Sequence, residues 1–126
     1  MNIDIEPLSA EWLEQMGQDD PRINAVRLSG LPFVVLVGGE PLAAGGFVPV
    51  RGSEYAAWAI VTDRARDSAL IMRRITRQVR VIFPIARQLL HAESIVADAI
   101  NEPRFCRWLE VLGFRRKEIV HYEWVN

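Results

Sequence analysis

Apolar and polar residues alternate at the start of the chain, where Ile3 and Ile5 stand among Asn2, Asp4 and Glu6, the two-residue period of a half-buried strand. Ser9 precedes Ala-Glu-Trp-Leu-Glu-Gln-Met. A hydroxyl there can accept from a first-turn amide, so the pattern predicts a helix capped by Ser9 and ending near Gly17. Pro21 opens a second short amphipathic stretch through Val26 and Leu28. Residues 31–37 form a continuous Val-rich apolar run stopped by Gly38-Gly39-Glu40-Pro41, which reads as a buried strand entering a tight turn. A second strand is expected over 42–50 and a third over 55–62, joined by the turn Arg51-Gly52-Ser53-Glu54. Three strands with such short connections predict an antiparallel meander. Gly45 and Gly46 lie inside the second strand, implying a bulge or a close backbone approach.

Residues 63–67 read as a polar loop. From 68 to 91 the period becomes helical: Ile71, Ile75, Val79, Ile82, Phe83, Ala86, Leu89 and Leu90 share one arc. Arg73, Arg74, Arg77, Arg80 and Arg87 take the opposite side, with Val81 and Ile85 as apolar exceptions flanking it. Pro84 removes an amide from this helix and is expected to kink it or split it in two. A strand over 95–100, a helix over 103–112 stopped by Gly113, and a strand over 119–125 complete the chain. No internal repeat or linker interrupts residues 1–126, so the expectation is a single α/β (α+β) domain, a mixed sheet flanked by helices.

The 126 residues are 50% hydrophobic and 25% charged with a formal net charge of -1, which excludes a disordered chain. No stretch reaches about 18 apolar residues without a charge, so no spanning helix is expected. Asp4 and Glu6 stand where a secretory leader carries bases, which makes a cytoplasmic, unsecreted protein the expectation. Cys106 is the single cysteine, excluding an internal disulfide, and His91, His121 and Cys106 lack metal-ligand spacing, so no metal site is expected. Cys106, between Phe105 and Trp108, reads as core, as do Trp12, Trp58, Trp108 and Trp124 unless they anchor an interface. Charge is divided unevenly. Residues 1–60 carry eight acids against three bases, residues 61–126 eight against twelve, and all bases but Lys117 are Arg. The arginine face of the long helix is either neutralised by the acidic N-terminal segment or free to meet an external anion: a coenzyme phosphate, an acidic partner or nucleic acid. Nucleic acid is the least favoured, because no aromatic residues interleave the arginines.

The element order, with its final strand, Asn101, helix and Leu112-Gly113-Phe114 turn, resembles the GNAT N-acetyltransferase superfamily over nearly the whole chain. A narrower similarity is to the small GNAT-like internal virion proteins of short-tailed phages, carried by Pro-Leu-Ala-x-Gly-Gly at 41–46, the aromatic strand from Trp58 to Val61-Thr62, and the long basic helix. The superfamily resemblance implies that the third meander strand splays from its neighbour to admit the pantetheine arm of acetyl-CoA. It also implies that the loop and helix start after Val61 hold the diphosphate. Cofactor-binding residues carried over in this way are Val61, Arg64, Arg66, Ser68 and Ala69. The family pattern Gln/Arg-x-x-Gly-x-Gly/Ala meets Asp67 and Ala69 when started at Arg64, and Ala69 and Ile71 when started at Arg66. Neither register has a glycine, and in the first Asp67 sets a negative side chain where a diphosphate would lie. Asp67 or Ser68 also reads as the helix cap.

Catalysis would need a base for the amine and an acid for the thiolate. The position where GNAT enzymes often carry Tyr is Leu109, and the spacing from Asn101 to Gly113 is one residue longer than the family's usual spacing. Glu54 is a candidate base and Tyr122 a candidate acid, against a solvated turn-edge carboxylate and a sheet aromatic respectively. Three functions are therefore expected in order. The first is a phage-type, virion-associated interaction module with a degraded acyl-CoA site, in the virion or host cytoplasm, partnered by other virion proteins or by itself. The second is an active acetyl-CoA-dependent N-acyltransferase acting on a small-molecule or protein amine. The third is a small partner- or nucleic-acid-binding protein that merely has a mixed α/β fold.

Overall fold

The computed structural model describes residues 2–98, 103–116 and 121–124. Its elements are β1 (Ile3–Pro7), α1 (Ala10–Gln15), α2 (Pro21–Leu28), β2 (Leu31–Val37), β3 (Glu40–Arg51), β4 (Glu54–Val61), α3 (Asp63–Arg66), α4 (Ala69–Leu90), β5 (Ser94–Asp98), α5 (Pro103–Val111), β6 (Phe114–Arg116) and β7 (His121–Trp124). One seven-stranded sheet runs in the order β1-β2-β3-β4-β5-β7-β6. Every pairing is antiparallel except β4 with β5.

The meander forms as the pattern predicts. Gly38 and Gly39 both have positive φ, +61° and +81°, which matches the two-residue hairpin turn whose twist suits the flanking strands. The continuous apolar run in β2 is explained by burial on both faces of the sheet. Val34 and Leu36 pack with Leu8, Leu13 and Ala44 under α1 and α2, while Val35 and Val37 join Ala43, Phe47 and the buried stripe of α4 on the other face. Helices therefore cover both faces: α1 and α2 one side, α4 and α5 the other. Gly45 and Gly46 serve close approach, since a Cβ at Gly46 would stand 2.9 Å from Pro32 Cα and 3.0 Å from the Leu31 carbonyl oxygen. The register shifts in β2–β3 and β3–β4 lie elsewhere, at Val35/Leu36 and Pro49/Arg51.

Four expectations are corrected. Residues 63–67 are not a plain loop: Asp63–Arg66 forms one helical turn, because the Thr62 hydroxyl accepts from the Ala65 amide at 3.4 Å. Pro84 neither splits nor ends α4, which runs unbroken over 22 residues. Pro84 is exposed, while Ile75, Val79, Phe83 and Ala86 pin the helix to the sheet on both sides of it. Leu89, at the margin of the apolar arc, is exposed. The strand expected over 119–125 is β7, but it is preceded by a further strand, β6, with which it pairs antiparallel; residues 117–120 between them lie outside the described residues.

The centre of the main core is aromatic. Phe83 meets Phe47, Phe114 and Trp124 edge to face, with ring centroids 5.1, 5.5 and 5.5 Å away, so α4 is locked against strands on both sides of the β4–β5 pair.

Candidate functional site

The parallel pair β4–β5 shares a ladder over three residues only, Glu54 with Ser94, Tyr55 with Ile95 and Ala56 with Val96. Beyond Ala56 the strands separate among the described residues. Residues 57–61 of β4 stay paired to β3, Ala57 opposite Phe47 through Val61 opposite Ala43, while Ala97 and Asp98 of β5 stay paired to β7. A wedge therefore opens along one edge of β4 and ends at the turn leading into α4. Among the described residues, the main-chain groups of 57–61 on that edge have no strand partner in β5.

The turn itself is closed. Thr62 donates its hydroxyl to the Leu42 carbonyl at 3.1 Å, fixing the end of β4 to β3. The amides of Ala65, Arg66, Asp67 and Ser68 bond to the Thr62 hydroxyl, Thr62 carbonyl, Asp63 carbonyl and Ala65 carbonyl in succession. Ser68 caps α4, its hydroxyl accepting from Ile71 N–H at 3.2 Å. The amides of Ala69 and Leu70, the first two of α4, take no acceptor from the turn. Arg64 is ion-paired to Glu40 at the start of β3, and Arg66 to Asp63 within α3. A diphosphate normally collects several free amides at a helix start, together with unneutralised positive charge. Among the described residues the amides of Asp63, Arg64, Ala69 and Leu70 take no acceptor, while both arginines of the turn are paired with carboxylates and Asp67 is exposed. With both bases occupied, the carboxylate of Asp67 adds negative charge where a diphosphate would lie, which disfavours that group on charge.

Of the other sequence candidates, Glu54 sits at the closed end of the wedge, seven residues or roughly 23 Å of strand from Val61. It is ion-paired to Arg51 at 3.8 Å, as a turn-edge carboxylate would be. Val61 is half-buried against the core. Tyr122 is placed by its backbone opposite Ala97 in β7, and its side chain lies outside what is described, as does Asn101. Leu109 is buried in the core, so the position where the family often has a proton-bearing Tyr holds an aliphatic side chain. Among the described residues no three His, Cys, Asp or Glu side chains converge as a metal site, and no helix is long and apolar enough to cross a membrane.

Beside the turn, α4 and α5 enclose an open groove of about 870 Å³, lined by Arg73, Arg77, Arg80, Val81, Trp108 and Val111 among others. The N-terminal acids do not neutralise it. Asp4 and Glu6 belong to β1 and Glu11, Glu14, Asp19 and Asp20 to α1 or the approach to α2, and those helices lie on the opposite face of the sheet. Among the described residues no carboxylate comes within salt-bridging distance of Arg73, Arg77 or Arg80; Glu40 reaches only Arg64. The groove was not legible beforehand, although its arginines were. Thr62 carried an N-cap signal in the sequence, a Thr directly before Asp63 and a basic turn.

No protein-family model and no curated protein matches this sequence. Solved structures do match its fold. The IAA acetyltransferase from Bacillus cereus ATCC 14579 superposes with a TM-score of 0.68 at 14% identity, covering 93% of this chain and 79% of that one. A GNAT family acetyltransferase from Elizabethkingia anophelis, solved with acetyl-CoA bound, gives 0.66 at 13% identity, covering 93% and 78%. The GNAT domain of PAT from S. lividans gives 0.69 at 10% identity, covering 94% and 88%. The chain therefore has the GNAT fold: a seven-stranded, mostly antiparallel sheet with helices on both faces and the β4–β5 wedge at its centre.

Proposed function

We propose that this chain is a GNAT-fold interaction module in which the acyl-CoA site no longer takes a diphosphate, acting as a virion-associated protein of a short-tailed phage. The observation that carries this reading is the closed turn, where Thr62 and its neighbours consume the amides of residues 65–68 and carboxylates occupy Arg64 and Arg66. Leu109 at the proton-donor position supports it. The phage assignment draws its support from the sequence similarity at 41–46 and 58–62.

A second reading, an acetyl-CoA-dependent N-acyltransferase, is favoured by the wedge itself, since residues 57–61 keep the free strand edge a pantetheine arm would pair with. Several fold neighbours were solved with coenzyme A or acetyl-CoA. Under that reading Ala69 and Leu70 amides would be the anion donors and Glu54 or Tyr122 the acid–base groups.

Calorimetric titration with acetyl-CoA decides between them. The module reading expects no binding at about 100 μM, a free energy near -5.5 kcal/mol. Tighter binding that is lost on Arg66→Glu would establish the acyltransferase instead.

A further inference from the structure

Among the described residues, five of the eight exposed large apolar side chains lie on α4 or α5. Val81, Ile85 and Leu89 follow one another at four-residue spacing, and Val111 stands across the groove; each is more than half exposed. Arg73 and Arg77 continue the same four-residue ridge toward the helix start. A helix that buries one apolar stripe in its own core and shows a second to solvent, bordered by bases with no carboxylate in salt-bridging range among the described residues, presents a docking surface. That partner must be apolar at its centre and acidic at its edge.

The chain carries such a surface itself. On α2, Ile23 and Val26 are exposed, and Asp19 and Asp20 stand at the helix start. Glu11 and Glu14 on α1 extend the acidic side. Of the two bases in this layer, Arg27 is drawn inward, its guanidinium 5.5 Å over the Trp58 ring and bonded to Gln18 and Asn24, which leaves Arg22 as the outward one. The two surfaces cannot meet within one molecule, because α2 and α4 lie on opposite faces of the sheet. A two-fold α4–α4 contact would set arginines beside the partner's apolar stripe and bring no acid to them.

We propose that copies of this chain associate head to tail, the outer face of α2 of one copy docking into the α4–α5 groove of the next. Such a heterologous contact leaves one free face of each kind at the ends, so assembly continues into rings or open chains. The association is independent of the acetyl-CoA question, since neither surface includes the turn at 62–68.

Sedimentation velocity on the full chain tests it. In about 50 mM salt the mean mass should rise with protein concentration, and raising salt to about 500 mM should weaken association roughly tenfold, because screening then confines these charges to a few ångströms. Arg77→Ser with Val81→Ser removes the groove face, and Asp19→Ser with Val26→Ser removes the α2 face. All four positions are exposed, and unchanged circular dichroism and melting temperature serve as the folding control. Each double variant alone should be monomeric, while a mixture should stop at a one-to-one heterodimer, one intact face from each. A wild-type chain that stays monomeric throughout overturns the proposal. So does an α2-face variant that still self-associates, which would mean an α4–α4 contact instead.

Discussion

Trp108 Nε1 donates to Thr76 Oγ1 at 2.8 Å, and that hydroxyl donates in turn to the Met72 carbonyl at 2.7 Å. This two-bond relay fastens α5 to α4 at the floor of the arginine-lined groove. Both side chains are half-buried, so losing the acceptor strands an indole N–H that water reaches only partly. Thr76→Val should lower stability by about 1 kcal/mol in urea unfolding. Thr76→Ser, which keeps the hydroxyl, should recover most of that.

Phe83 is the residue on which the main core turns. Its three edge-to-face contacts join β3, β6 and β7 through one ring. Phe83→Ala should cost about 3–5 kcal/mol, a large share of the stability of a domain this size. The measurement is the urea midpoint, with near-ultraviolet dichroism reporting the loss of Trp124 packing.

Gly46 tolerates no side chain. A Cβ there would come within 2.9 Å of Trp58 Nε1 as well as of Pro32 Cα, and backbone cannot move aside cheaply. Gly46→Ala should destabilise by about 2–3 kcal/mol. Gly17→Ala, in open space though at positive φ, should cost roughly 1 kcal/mol. Reversal of that order in thermal melts would mean that β2 and β3 are not packed as closely as described.

Pro84 is an exposed residue inside an unbroken helix, where it withholds one main-chain donor. Pro84→Ala should therefore raise stability by about 1–3 kcal/mol, visible as a higher melting temperature. A lower melting temperature would show that the ring contributes packing of its own.

The meander was legible because its signals are local: alternation in β1, a Val-rich run closed by Gly38-Gly39, and a turn at Gly52. The buried face of α4 was legible for the same reason, since Ile71, Ile75, Val79, Phe83 and Ala86 recur at helical spacing. Pro84 does not split α4 because burial on both sides of it outweighs one missing hydrogen bond. At the candidate site, the identity of the turn residues was plain but their engagement was not. Arg64 meets Glu40 only because the β3–β4 pairing brings residues 24 positions apart together, and no local pattern encodes that. The wedge likewise depends on where two strands stop pairing, which is set by the packing of whole elements.

A ladder of only three residue pairs between β4 and β5 leaves the sheet with a seam. On one side stands the β2–β3–β4 meander with β1 at its edge, on the other the β5–β7–β6 ribbon, and α4 with the Phe83 cluster bridges the two. Thermal fluctuation should part the molecule along that line before it melts the meander, so amide hydrogens of β5 and β7 will exchange through subglobal opening while those of β2 and β3 await complete unfolding.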